Sequence, residues 1–198
     1  MRLTAHDPLV SPRPIPQGPP PEVAPIFRDS SIHDFDVARW LTGQEVIDVS
    51  VTAGRRDGSL ASDPRTIESV IVSMRMSGGT LAVLEASWLH PTGYDTRIEL
   101  VSEATAVSGG LSPRTPSRHA DWTDVTAGWS GYLERFEPAY RAELAAFLES
   151  CRGVRPPVTK ARDGLEAMRI AVAATRSFSE GRRVALDEIP TLAKAQVA

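Results

Sequence analysis

Five segments between residues 46 and 108 carry the alternation or the β-branched content of strands, and no helical pattern separates them. Short turns join them, and Ser77-Gly78-Gly79 is a hairpin signal between two of them. Strands joined in this way pair antiparallel, because parallel pairing needs a long crossover connection. The sequence therefore predicts an antiparallel sheet rather than a doubly wound one, with strands at 46–53, 66–76, 80–88, 96–101 and 105–108.

Three helical segments accompany this sheet. The first, 30–41, has Asp29, Ser30 or Ser31 as its N-cap and Gly43 as its end. The last begins at an N-cap Asp163 and ends near Gly181. Between them runs a helix with an apolar stripe at helical spacing, made of Phe136, Tyr140, Leu144, Phe147, Leu148 and Cys151. The predicted fold class is α+β, an open, mainly antiparallel β-sheet with helices packed on one face.

The N-terminal segment is dominated by proline. Half of the 16 prolines lie between Pro8 and Pro25, which excludes a helix or a central strand there. We interpret residues 1–28 as a short strand, 2–6, followed by a Pro-rich loop of the same domain. Residues 29–198 form a single α+β substrate-binding and oligomerisation domain, with a second long loop at 112–131.

Composition narrows the possible partners. The net charge is -3, and acidic and basic residues are interspersed, so neither nucleic acid nor an anionic membrane surface is expected. No apolar run approaches the length of a membrane span, and no secretory signal precedes the first strand, so we expect a cytoplasmic protein. The single cysteine, Cys151, excludes an internal disulfide and is expected to be a small buried residue.

One cluster of residues has the composition of a chemical site. The sequence contains no G-x-G-x-x-G, P-loop, G-x-S-x-G or H-E-x-x-H motif. On a helix, however, Asp29, His33, Asp36 and Trp40 fall within roughly 60° of one another, flanked by apolar residues on both sides. Two carboxylates beside a histidine suit general acid–base chemistry. The alternatives are a cap at Asp29 with a structural histidine, or a metal site for which no third ligand is apparent.

The remaining histidines and tryptophans carry weaker signals. His6, His90 and His119 are isolated in the sequence and are interpreted as surface residues. Trp88, Trp122 and Trp129 belong either to the core or an interface, or to the wall of a sugar pocket.

The run from Ile26 to Arg39 resembles a helix of the Gfo/Idh/MocA oxidoreductases, above all of inositol 2-dehydrogenases, with its pattern D-x-x-I-H-D-x-D-x-x-R. The likeness extends to Gly93-Tyr94-Asp95-Thr96-Arg97, which is similar to the G-Y-D-x-R segment of that family. It continues through Pro157-Val158-Thr159, Asp163-Gly164-Leu165 and Glu180-Gly181-Arg182. The resemblance spans almost the whole chain.

The resemblance implies a C-terminal domain of the dihydrodipicolinate-reductase-like type, whose open sheet associates with other copies as a dimer or tetramer. It implies that His33 acts as acid–base on a substrate hydroxyl and that Asp29 binds and orients the substrate. Tyr94, Asp95 and Asp36 are the expected substrate-binding residues. NAD or NADP, and the catalytic lysine, belong to an N-terminal Rossmann domain that this sequence lacks.

Three interpretations of function follow. In the first, the chain is the substrate-binding half of an NAD(P)-dependent sugar or polyol dehydrogenase, inactive alone, which oxidises a ring hydroxyl to a ketone with a separate Rossmann chain. In the second, it is a non-catalytic polyol-binding or assembly module. In the third, it is a truncated gene product.

Overall fold

The computed structural model describes residues 1–8, 17–55, 57–91, 93–112, 114–115 and 128–191. Within these ranges one open sheet has the strand order β6-β5-β1-β4-β3-β2-β7, and every neighbouring pair is antiparallel except β1 with β4. The predicted fold class is therefore confirmed. The strands are β1 (Arg2–Pro8), β2 (Val46–Gly54), β3 (Ser69–Met76), β4 (Leu81–His90), β5 (Asp95–Val101), β6 (Ala106–Gly109) and β7 (Val184–Ala185).

The two faces of the sheet differ in burial because side chains alternate along each strand. On β3, Val70, Val72, Met74 and Met76 are buried, whereas the residues between them are more exposed. Each buried branched side chain stabilises the fold by about 1.5–3 kcal/mol relative to an exposed one. One face of the sheet is thus the core face. The opposite, open face carries Ile71 and Leu81, which are 53% and 68% exposed.

Five helices complete the described fold: α1 (Pro25–Asp29), α2 (Ser31–Thr42), α3 (Tyr132–Arg135), α4 (Glu137–Cys151) and α5 (Ala161–Glu180). Helix α5 packs its small apolar side on the core face, with Ile170 and Ala174 fully buried. Two of its hydroxyls accept backbone N–H groups, Thr175 from Ala24 and Ser177 from Val51. None of the described helices is long and apolar enough to cross a bilayer.

Three details differ from the sequence predictions. The N-cap of α5 is Lys160, and Asp163 instead occupies the third helical position, where its carboxylate accepts the Lys160 N–H at 2.8 Å. The strand predicted from residue 66 begins at Ser69, because Asp63 caps a 3₁₀ turn at Pro64–Thr66. Finally, β1 extends to Pro8, beyond the predicted strand at 2–6, and it is a central strand that pairs with both β4 and β5.

Helix α4 has no buried residue, although the predicted fold has its helices packed on one face of the sheet. It forms at the predicted place, but nearly all of it is exposed, including Leu144 at 64% and Phe147 at 63%. Cys151, expected to be buried, is exposed as well. The apolar stripe is real, but no described part of the chain covers it.

Candidate active site

The residues of the D-x-x-I-H-D motif lie at the junction between α1 and α2. Ser30 ends the first helix and begins the second, with φ -111° and ψ -66°, and the Ser30 carbonyl accepts the His33 N–H at 3.3 Å. The Ser30 hydroxyl donates to Asp7 Oδ2 at 3.4 Å, which connects the junction to the end of β1. The motif is therefore held against the end of the sheet where β1 finishes.

This break corrects the predicted helical stripe. Asp29 is the last residue of α1, so it does not continue the helix that carries His33, Asp36 and Trp40. Asp29 and His33 are both exposed, and Trp40 is 71% exposed. The predicted acid–base pair thus lies on a surface open to a ligand or a partner, not in a row enclosed by apolar neighbours.

Asp34, next to His33, is the residue that sequence reasoning missed. Its side chain is on the buried side of α2 with Ser31 and Phe35, and only 6% of it is exposed. Burial, together with the nearby Asp7 carboxylate, raises the pKa of Asp34 to about 7. A carboxyl group that holds a proton near neutral pH can donate a hydrogen bond or exchange that proton. Its position on the helix could have indicated it, because it falls among core residues. A buried carboxyl there destabilises the fold and is therefore often functional.

Tyr94 belongs to the same region. Burial raises the pKa of the Tyr94 phenol, and the negative charges of Asp7 and Asp34 raise that pKa further. The Tyr94 ring packs edge-on against Phe136, with ring centroids 5.9 Å apart. The register that pairs His6 with Asp95 places the predicted substrate residue Tyr94 near the end of β1, where Asp7 accepts the Ser30 hydroxyl.

The turn before Tyr94 requires glycine. Gly93 has φ +117°, and a Cβ there would lie 2.6 Å from the Trp129 carbonyl oxygen. That close approach allows the Tyr94 N–H to donate to the same oxygen at 2.7 Å. Gly93 thus fixes the entry of β5, and with it the position of Tyr94.

Asp36, predicted to bind substrate, takes part in an ion network. Its Oδ1 accepts from the buried Arg39 guanidinium at 3.2 Å, and Arg39 also makes two bonds to Glu45, at 2.7 and 3.0 Å. Arg39 further donates to the Asp163 carbonyl at 3.3 Å, so the network connects the end of α2 to the start of α5. These contacts give Asp36 a part in holding α2 against α5.

The Asp95 side chain points to the opposite face of the sheet from Tyr94. Successive side chains of a strand point to opposite faces, and Asp95 pairs in register with His6. It is 2% exposed, and its Oδ1 accepts from Arg97 Nε at 3.1 Å. Of the five predicted site residues, the structure therefore places His33, Asp29 and Tyr94 around the α1–α2 junction and the start of β5. It gives Asp36 and Asp95 other partners.

The other aromatic candidates differ in their burial and in their partners. Trp88 is buried in the core, and the half-buried Trp129 lies under the Arg114 guanidinium, 4.0 Å from its ring centroid. His6 and His90, expected at the surface, are partly buried and stack on each other at 5.0 Å. Trp122 and His119 lie outside the described residues.

A nicotinamide dinucleotide binds where a parallel strand leads through a glycine-rich turn into a helix. In the described ranges the N-caps of α1, α2, α4 and α5 are Ala24, Ser30, Phe136 and Lys160, and none follows such a turn. The N-cap of α3 is Gly131, but α3 has only four residues and no described parallel strand leads into it. These residues do not fit the pyrophosphate.

A model of the C-terminal alpha/beta domain of the oxidoreductase family matches residues 24–186. The chain belongs to the Gfo/Idh/MocA oxidoreductase family. It is 33% identical to the myo-inositol dehydrogenase Hyg17 of Streptomyces leeuwenhoekii over 91% of this chain and 54% of that protein. It is 30% identical to myo-inositol 2-dehydrogenase of Thermotoga maritima, over 96% of this chain and 56% of the relative.

Solved structures agree with this membership. A probable dehydrogenase from Thermotoga maritima superimposes with a TM-score of 0.74 at 28% identity, over 96% of this chain and 56% of that one. A myo-inositol dehydrogenase from Corynebacterium glutamicum gives a TM-score of 0.73 at 27% identity, over 96% and 56%. The Gfo/Idh/MocA chain described here spans about half the length of the relatives it matches.

Proposed function

We propose that this chain is the substrate-binding half of an NAD(P)-dependent polyol dehydrogenase, similar to inositol 2-dehydrogenase, that works together with a Rossmann domain. The proposal rests on the arrangement of side chains at the α1–α2 junction. There the exposed Asp29 and His33 lie on either side of Ser30, whose hydroxyl donates to Asp7. The register of β1 and β5 places Tyr94 near the same end of β1. Relatives with the same C-terminal architecture carry the names of inositol dehydrogenases.

The proposed roles follow from the chemistry of alcohol oxidation. A ring hydroxyl that becomes a ketone loses its O–H proton and, from the same carbon, a hydride. His33 is exposed and takes the proton as general base, and Asp29 accepts a hydrogen bond from a neighbouring hydroxyl to orient the ring. NAD or NADP, held by the partner domain, would supply the hydride acceptor.

Asp34 and Tyr94 would form the floor of the same site. A protonated Asp34 carboxyl and the Tyr94 phenol each offer an O–H donor near neutral pH, and Asp34 is buried while Tyr94 is half-buried. Polyols present several hydroxyl oxygens as acceptors, so a floor with fixed donors distinguishes ring positions. The catalytic pair would then contact the ring from the exposed side.

The exposed surfaces support a two-part enzyme. Trp40 on α2 and the apolar stripe on α4 leave large side chains in water, which is unusual unless a partner covers them. A Rossmann domain docked on these helices would exclude water from His33. On the other side of the sheet, the open face with Ile71 and Leu81 is proposed as the surface for self-association.

Reconstitution tests the proposal. The chain is mixed with the separately expressed Rossmann domain of an inositol dehydrogenase relative, and nicotinamide reduction is followed with myo-inositol, scyllo-inositol and an acyclic polyol. We expect reduction that requires both chains and a cyclic polyol. Polyol binding without turnover under any pairing would favour the non-catalytic module instead, and neither binding nor turnover would reject both.

A further inference from the structure

Three metal-ligating side chains from three neighbouring strands meet at the end of the sheet. They are His6 on β1, His90 at the end of β4 and Asp95 at the start of β5, and one ligand atom from each lies within 4.8 Å of the others. The two imidazole rings stack with centroids 5.0 Å apart and an angle of 18° between their planes. The strand register explains the convergence, because His6 is opposite Asp95 and Pro8 is beside His90.

Within this cluster several buried polar atoms lack a hydrogen bond to the described protein. Both ring nitrogens of His6 are in this state, and so is Oδ2 of Asp95, whose side chain is 2% exposed. The other Asp95 oxygen is held by Arg97 at 3.1 Å, which fixes the carboxylate and leaves Oδ2 directed elsewhere. An unsatisfied buried polar atom costs about 1–3 kcal/mol. His6 Nε2 has the Glu85 carboxylate 3.5 Å away, so His6 Nδ1 and Asp95 Oδ2 are the two atoms that most favour a ligand.

We propose that His6, His90 and Asp95 form a binding site for a divalent transition-metal ion, with zinc as the best fit. Two imidazole nitrogens and one carboxylate oxygen are a usual zinc ligand set, with a fourth position left for water or another side chain. Magnesium and calcium prefer all-oxygen sites, which this cluster does not provide. Side-chain rotation can bring atoms within 4.8 Å of one another to the closer spacing of a tetrahedral ion.

The surrounding charges favour a cation. Glu85 on the neighbouring strand lies with Oε1 3.5 Å from His6 Nε2, so Asp95 and Glu85 contribute two negative charges against one positive charge from Arg97. Glu85 is also close enough to orient the His6 ring or to complete the coordination. A carboxylate that contacts the other nitrogen of the ring usually accompanies a ligating histidine and fixes the orientation of the ring.

The ion would have a structural effect on the neighbouring site. It would tie β1, β4 and β5 together at their common end, and Asp95 directly follows Tyr94 in the chain. A fixed Asp95 holds the beginning of β5, and therefore limits the movement of Tyr94. The inference stands on the cluster alone and does not depend on dehydrogenase activity.

Calorimetric titration of the tag-free, chelator-treated 198-residue chain with zinc chloride tests the site directly. We expect one ion per chain with a dissociation constant in the micromolar range or tighter, and a zinc-dependent rise in the melting temperature. Cobalt in place of zinc should give the intense visible absorption of a tetrahedral complex. The proposal would be overturned if zinc did not bind in the micromolar range. That result is expected if ordered water alone satisfies the ring nitrogens of His6 and Oδ2 of Asp95.

Variants assign the binding to these residues. His6→Gln and Asp95→Asn should each weaken zinc binding at least about tenfold, whereas the exposed His33→Gln should bind zinc like the unmodified chain. Circular dichroism establishes that each variant is folded, and His90→Gln replaces any variant that is not. Equal zinc affinity in the folded cluster variants, or loss of binding in His33→Gln, would contradict the assignment.

Discussion

Asp34 is the residue whose environment departs most from the ordinary state of its side chain. Its pKa is raised to about 7 in the fold by burial and by Asp7, from an ordinary value near 3.8. Below pH 3.8 the carboxyl is protonated in both the folded and the unfolded chain. Between 3.8 and 7 only the unfolded chain ionises, so the free energy of unfolding falls as the pH rises through this window.

Asp34→Asn should remove this pH dependence. The amide keeps the shape of the carboxyl but cannot ionise, so the variant should be more stable than the unmodified chain at pH 8, on the order of 4 kcal/mol. Near pH 4 the two proteins should differ little. Urea unfolding at pH 4, 6 and 8 measures the difference, and a constant difference at all three pH values would show that Asp34 is ionised in the fold.

At the scale of elements, α4 and α5 have similar sequence patterns but differ in burial. Both have apolar residues at helical spacing, but α5 buries Ile170 and Ala174 on the sheet, while α4 leaves Leu144 and Phe147 in water. Because the α4 stripe has no cover in the described structure, its side chains add little to the stability of the isolated chain.

Leu144→Glu should therefore leave the melting temperature of the chain almost unchanged. The same variant should weaken association with the Rossmann partner, since a charge would enter a desolvated interface. Ile170→Glu is the matched control on α5, and we expect it to unfold the chain. A large loss of stability from Leu144→Glu, or undiminished association in a pull-down titration, would show that α4 is not a docking surface.

The sequence predicted the positions of helices and strands better than it predicted which of them pack or pair with one another. Strand alternation and the Gly43 and Gly181 helix ends located most strands and the long helices, because these signals are local. The parallel pairing of β1 with β4 could not be predicted, since the two strands are about 80 residues apart in the chain. The same holds for His6, His90 and Asp95, which only the register brings together. The pattern of α4 indicated an apolar stripe but not what covers it.

At the scale of the whole molecule, no helix of the described residues covers the open face of the sheet. Ile71 and Leu81 are exposed there among charged side chains such as Arg2, Glu99 and Arg97. A mixed, flat surface of this kind suits an isologous contact between two copies, where each apolar patch meets its equivalent.

Ile71→Asp should shift the chain from dimers or tetramers to monomers, because like charges would face each other across the contact. Sedimentation velocity at micromolar concentration measures this shift. Ser73→Asp, on the same face and strand, tests whether any charge has this effect or only one at an apolar contact. A monomeric unmodified chain would refute self-association through this face.

We propose that the α1–α2 junction supplies the acid–base group of a polyol dehydrogenase. Steady-state turnover of the reconstituted pair, compared between the unmodified chain and His33→Ala, tests it most directly. Loss of the general base should lower the rate by about a hundredfold or more, while the melting temperature stays unchanged because His33 is exposed. A His33→Ala chain that turns over polyol normally, or one that unfolds, would contradict the account.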